Sequence, residues 1–116
     1  MATTFGPGSN DGVFTGTTPV VLVSAPSSGV KRLVKTITVF NADTQTRILT
    51  LTFLSNSNSR TVVYQTLQPN ETFVFGGDGE VLVLDATTKS VTAAMDSSPL
   101  ANQPHFTAHY ADYQVV

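Results

Sequence analysis

Arg47-Ile48-Leu49-Thr50-Leu51-Thr52-Phe53-Leu54 is the stretch that decides the fold. Leu49, Leu51 and Phe53 alternate with Thr50 and Thr52, and successive side chains of an extended strand point to opposite faces. The stretch reads as a strand with one apolar face turned inward and one hydroxyl-bearing face. Just upstream, Val30 to Phe40 is the longest strand candidate. Strict alternation puts Val34, Thr36, Thr38 and Phe40 on one of its faces and Leu33, Lys35, Ile37 and Val39 on the other. Asn41-Ala42-Asp43 turns the chain between the two.

The same cadence continues outward in both directions. Ser55-Asn56-Ser57-Asn58-Ser59 is a polar hairpin loop, and Arg60 to Leu67 returns from it. Gln68-Pro69-Asn70 turns into Glu71 to Phe75, and Gly76-Gly77-Asp78-Gly79 is a tight glycine turn. Val81 to Leu84 and Ser90 to Met95 come next, separated by Asp85-Ala86-Thr87-Thr88. Asp96 to Pro104 is irregular, with room for one helical turn, and His105 to Val116 is a final, aromatic-rich strand. Before all of these, Val20 to Ser24 is a short apolar run closed by Ala25-Pro26-Ser27-Ser28-Gly29. About eight strands with turns every 8–12 residues indicate an antiparallel sandwich or barrel. No segment carries ten residues of helical periodicity, so the expected class is all-β, a jelly-roll-like antiparallel β-sandwich.

Composition narrows the function classes. The 116 residues fit one domain, and Thr and Val suit a pleated, half-buried surface. Only 12% of residues are charged, Cys and Trp are absent, and there are two His. Stability therefore rests on packing, β-ladders or association with other chains. A net charge of −2 and a pI of about 5.4 do not provide the basic field of a nucleic-acid binder, nor is there a basic run for anionic membranes. The N-terminus has neither a positive start nor an apolar core, so no secretory signal is expected. No stretch approaches the ~18 apolar residues of a membrane helix. These readings imply a soluble chain made in a cytoplasm. A mean hydropathy of +0.09 with so few charges implies that a partner covers part of the surface.

Met1 to Thr18 differs in character from the rest of the chain. Gly6, Pro7, Gly8, Gly12 and Gly16 interrupt any periodicity, yet Phe5 and Phe14 sit among them. Two readings stand: an N-terminal arm whose phenylalanines fold back onto the domain, or an arm that anchors Phe5 and Phe14 on a neighbouring subunit. The expected division is thus an arm over residues 1–18 and a sandwich over residues 19–116. On the anchoring reading, a chain lacking Met1 to Thr18 still folds.

The groups able to do chemistry are few. His105 and His109, four apart on a strand, are separated by roughly 13 Å, too far to share one metal ion. Asp78, Glu80 and Asp85 flank one hairpin, where turn chemistry explains acids better than a glycosidase pair does. Gly76 to Gly79 lacks the Lys-Ser/Thr ending and the succeeding helix of a phosphate cradle. No serine stands in a Gly-x-Ser-x-Gly elbow, and the Asn70-Glu71-Thr72 sequon matters only in a secretory pathway. No catalytic residue, cofactor or metal is therefore expected, and the chain is read as a non-enzyme. In the last strand Phe106, Ala108 and Tyr110 share one face while His105, His109 and Tyr113 share the other. Tyr110 and Tyr113 suit a subunit interface, an exposed rim or a sugar-stacking surface. The basic cluster Lys31, Arg32 and Lys35 reads as a solvated edge that blocks unwanted strand pairing.

Pro19 to Val23, Gly29 to Asp43, Arg47 to Phe53 and the turn Leu67-Gln68-Pro69-Asn70-Glu71 together resemble small virion proteins of tailed bacteriophages, most of all capsid decoration (cement) proteins. The resemblance spans roughly Pro19 to Leu84. It implies a structural protein that binds the outer capsid surface as a dimer or trimer and bridges neighbouring major capsid proteins, without nucleic acid or membrane as partner. An N-terminal arm reaching along the lattice also belongs to that picture. A tail, neck or spike accessory module binding carbohydrate or a receptor is the alternative.

Overall fold

The computed structural model describes residues 3–76, 82–99 and 101–115. These residues form nine strands: β1 (Thr3–Val13), β2 (Val20–Val23), β3 (Val30–Phe40), β4 (Arg47–Ser55), β5 (Asn58–Leu67), β6 (Thr72–Gly76), β7 (Leu82–Leu84), β8 (Lys89–Met95) and β9 (His105–Val115). One sheet has the order β1-β9-β3-β6, with β7 also paired to β3, and the other has the order β2-β8-β4-β5. All pairings are antiparallel. β6 opposes Thr36 to Phe40 and β7 opposes Arg32 to Val34, so both lie end to end along one side of β3. Counting them as one position leaves two facing sheets of four positions each, in the strand order of a jelly roll.

The core lies where the two inner faces meet. Leu49 and Leu51 of β4 are fully buried beside Val91 and Ala93 of β8, as alternation along β4 requires. From the other sheet Val34, Ile37, Val39, Leu84 and Phe106 close over them. β3 departs from the expected faces. Its register with β9 shifts between Val34 and Thr36, leaving a bulge at Lys35. That extra residue brings Val34 onto the same buried side as Ile37 and Val39, which strict alternation had separated.

The N-terminal segment forms a strand of the sheet. β1 pairs with β9 from Thr3↔Val115 to Val13↔His105. The glycines that obscured its periodicity make room for aromatic rings opposite. A Cβ on Gly8 would lie 2.6 Å from Tyr110 Cζ, and one on Gly12 would lie 3.0 Å from Phe106 Cε1. Phe14, for which folding back onto the domain and anchoring on a neighbour both stood, is fully buried in its own chain. Its ring centroid lies 5.4 Å from that of Phe106, and its N–H donates to the Pro104 carbonyl at 2.8 Å.

Candidate functional site

The two lateral sides of the sandwich differ. On the β1/β2 side, Asn10 reaches across from one sheet to the other, its Nδ2 donating to the carbonyls of Leu22 at 3.1 Å and Val21 at 3.3 Å. This bond stitches the two edges and uses carbonyls that β2 would otherwise present to solvent. The opposite side is bounded by β5 and by β6 with β7. Phe53, Val63, Phe73, Phe75 and Leu82 are only partly buried against the core. Eight of the ten residues of β5 are exposed. Gln65 opposes the buried Leu49 and so faces inward, yet it is exposed, because the facing sheet does not extend over β5.

The outer faces are poor in charge. Register places Val21, Thr92, Thr52 and Thr61 in one row across β2, β8, β4 and β5. Ala94, Thr50 and Tyr64 form the next row. Neither row holds a charged side chain. Tyr64 is 72% exposed and Val62 39%. On the other sheet the outer rows run Val13, His105, Phe40, Thr72 and then Asp11, Thr107, Thr38, Val74. There the His105 ring stacks on Phe40 with centroids 5.3 Å apart, and Val74 is 55% exposed. The large apolar side chains left in solvent thus sit on outer faces and edges of the sheets.

The structure separates the residues singled out in the sequence. Tyr110 makes contacts within the chain: its ring lies over Gly8 and accepts the Arg32 guanidinium 4.3 Å from its centroid. Arg32 itself closes one end of the sandwich. It pairs with Asp112 through Nε–Oδ1 at 2.7 Å and Nη2–Oδ2 at 3.0 Å, and donates to Ser24 O at 2.9 Å. The bond to Asp112 raises the Arg32 pKa, with burial acting the other way. The solvated basic edge expected at Lys31, Arg32 and Lys35 is not an edge: β3 lies between β9 on one side and β6 with β7 on the other, and Arg32 is a structural clamp. Tyr113 is half-buried and stands in register with Lys31 and, by backbone pairing, with Phe5. His109 lies two positions from Thr107 on the outer face, along the strand from His105. Among the described residues no group of three His, Asp or Glu is placed to hold a metal ion. Asp85 is bonded to Lys89 Nζ at 2.6 Å, which lowers its pKa; Asp78 and Glu80 lie outside the described residues.

Val62 and Tyr64 were not singled out in the sequence. The available signal was Val62-Val63-Tyr64, where apolar residues run consecutively within a strand that should alternate. The register with β4 explains the run: Leu51 opposes Val63 and Thr52 opposes Thr61, leaving Val62 as a bulge.

No protein-family model matches the chain, and no curated protein matches its sequence. Solved structures share its fold. The chain is similar to a structure of Bacillus endospore appendages, which form a novel family of disulfide-linked pili, with a TM-score of 0.57 and 12% identity over 98% of this chain and 89% of that one. It is also similar to the crystal structure of PirA, with a TM-score of 0.51 and 10% identity over 89% of this chain and 92% of that one. At these identities the likeness is one of fold.

Proposed function

We propose that the chain is a non-enzymatic structural subunit that assembles into or onto a repeating particle, and more finely that it decorates and cements a bacteriophage capsid. The observation that carries the structural reading is the placement of the exposed apolar side chains. Val13, Val21, Val62, Tyr64, Val74 and Val83 stand on outer sheet faces and strand edges, the geometry of contact between surfaces. The pili formed by the Bacillus endospore appendages support the reading, since a domain of the same fold serves there in an assembly. The capsid assignment draws on the resemblance of Pro19 to Leu84 to small virion proteins. Contact is made by sheet faces and edges, because Phe14 and the strand that precedes it are parts of the domain itself. Each contact is modest, and symmetry repeats it over the shell.

The test is quantitative mass spectrometry of purified particles. A copy number comparable to that of the major capsid protein is expected. A handful of copies per particle would move the chain to the neck, tail or spike, and absence would overturn the virion reading. The second reading, a module for carbohydrate or receptor, now rests on Tyr64, the most exposed of the large apolar side chains among the described residues. On that reading Tyr64→Ala abolishes glycan binding; on the decoration reading no glycan is bound.

A further inference from the structure

We infer that a second copy of this chain adds antiparallel to the free edge of β5, joining two sheets into one across a two-fold axis. The inference rests on the reading of the chain as an assembling structural subunit and names the surface through which two copies meet.

Every other edge is shortened, blocked or occupied. β2 has four residues and a register shift, and Asn10 takes the Val21 and Leu22 carbonyls. β1 contains Pro7, which has no N–H to donate. β6 and β7 are five and three residues long and separate along β3. β5 runs for ten residues and contains neither Pro, Gly nor Lys, the residues that usually blunt an edge. Its neighbour within the sheet is β4, and among the described residues nothing pairs with its far side.

Charge decides for a copy of the same chain. Arg60 is the one charged residue of β5. An antiparallel two-fold places the residue at its centre opposite itself, as any isologous contact must. Centred on Val62, such a pairing sets Arg60 and the partner's Tyr64 level with each other, the bulge turning Arg60 to the face of Phe53 and Tyr64 to the face of Thr50. Centred on Val63, it sets Arg60 opposite the partner's Thr66 and Val62 opposite the partner's Tyr64. In neither register do like charges meet, and both cover the exposed Val62 and Tyr64. The bulge at Val62 raises the local twist, which the added strand has to follow.

The chain has no cysteine, so one introduced thiol reports its own neighbourhood. Residues directly opposite across an antiparallel pair have Cα atoms about 4.5–5.5 Å apart, within disulfide range. The experiment compares Val62→Cys, Val63→Cys, Val21→Cys and Val74→Cys under mild oxidation, beside light scattering of the unmodified chain. Expected are a dimer of the unmodified chain and a crosslinked dimer from Val62→Cys or Val63→Cys alone. Lysine at whichever central residue crosslinks, Val62→Lys or Val63→Lys, checked for native circular dichroism, should weaken dimerisation about tenfold or more, because that residue opposes its own copy. Crosslinking at Val21→Cys or Val74→Cys instead would overturn the β5 assignment while leaving self-assembly intact. A monomer at every concentration with no crosslink would overturn the inference. Copy number in particles decides the structural-subunit reading separately.

Discussion

Asn41 is fully buried at the end of β3, and its side chain holds three segments together. Its two amide protons serve the carbonyls of Gln45 at 3.0 Å, Leu67 at 3.0 Å and Gln68 at 3.3 Å, while Oδ1 accepts from the Asp43 N–H at 3.1 Å. Removing that amide strands buried backbone carbonyls, which costs far more than the net worth of one hydrogen bond. Asn41→Ala should lose about 2–3 kcal/mol, read as a lower urea midpoint at unchanged slope. Gly8→Ala tests a close approach instead. Its methyl must displace the Tyr110 ring from the Arg32 guanidinium, with an expected loss of about 1–3 kcal/mol. Asp85 behaves differently because it is exposed. Its hydrogen bond to Lys89 lowers its pKa, so the pair's contribution is present above the carboxylate's unfolded value and fades as pH falls through the lowered folded one. Lys89→Ala should return the Asp85 titration upward in NMR and leave the melting temperature nearly unchanged.

At the scale of the strand, β1 carries the largest consequence. It contributes an edge to the β1-β9-β3-β6 sheet, leads directly into the core residue Phe14, and carries Asn10 across to β2. Deleting residues 1–14 should abolish cooperative unfolding, since it leaves the edge of β9 unpaired and empties the Phe14 site; Phe→Ala alone at a buried position costs about 3–5 kcal/mol. A sigmoidal urea transition near that of the full chain would contradict this. β1 was illegible as a strand because its information lies across the sheet. Gly8 and Gly12 break the pattern along the chain, and their reason appears only when Tyr110 and Phe106 stand opposite. β4, by contrast, was legible from alternation alone, and β3 was legible in extent, from Val30 to Phe40. Its faces were not, because a bulge at Lys35 resets the period and no local residue type announces it. Val62 and Tyr64 are turned outward by alternation about Val63, which faces inward opposite Leu51, so their exposure is set by the pairing with β4 and not by composition.

For the whole molecule, the two ends of the sandwich are closed by ion pairs of unequal depth. At one end Arg47 and Asp43 are both buried, joined by Nε–Oδ2 at 2.9 Å and Nη2–Oδ2 at 2.8 Å. Asp43 Oδ1 also accepts from the backbone of Thr44 at 2.8 Å and Ala101 at 3.0 Å, and Arg47 donates to Ser97. The pair thereby ties the β3–β4 turn to the segment between β8 and β9. At the other end the Arg32–Asp112 pair leaves the Asp112 side chain 33% exposed. Without Asp112 the Arg32 guanidinium, 13% exposed, keeps Ser24, the Tyr110 ring and water, whereas without Asp43 the Arg47 guanidinium is left buried beside Ser97. Asp43→Asn should therefore cost about 3–5 kcal/mol, a large share of the total stability of a single domain. Asp112→Asn should cost about 1 kcal/mol or less, since Arg32 keeps Ser24 and the Tyr110 ring. Urea unfolding of the two variants measures the difference directly. Equal losses would mean that the ends are equally accessible to solvent, and that the depth of the Asp43–Arg47 pair does not set which end opens first.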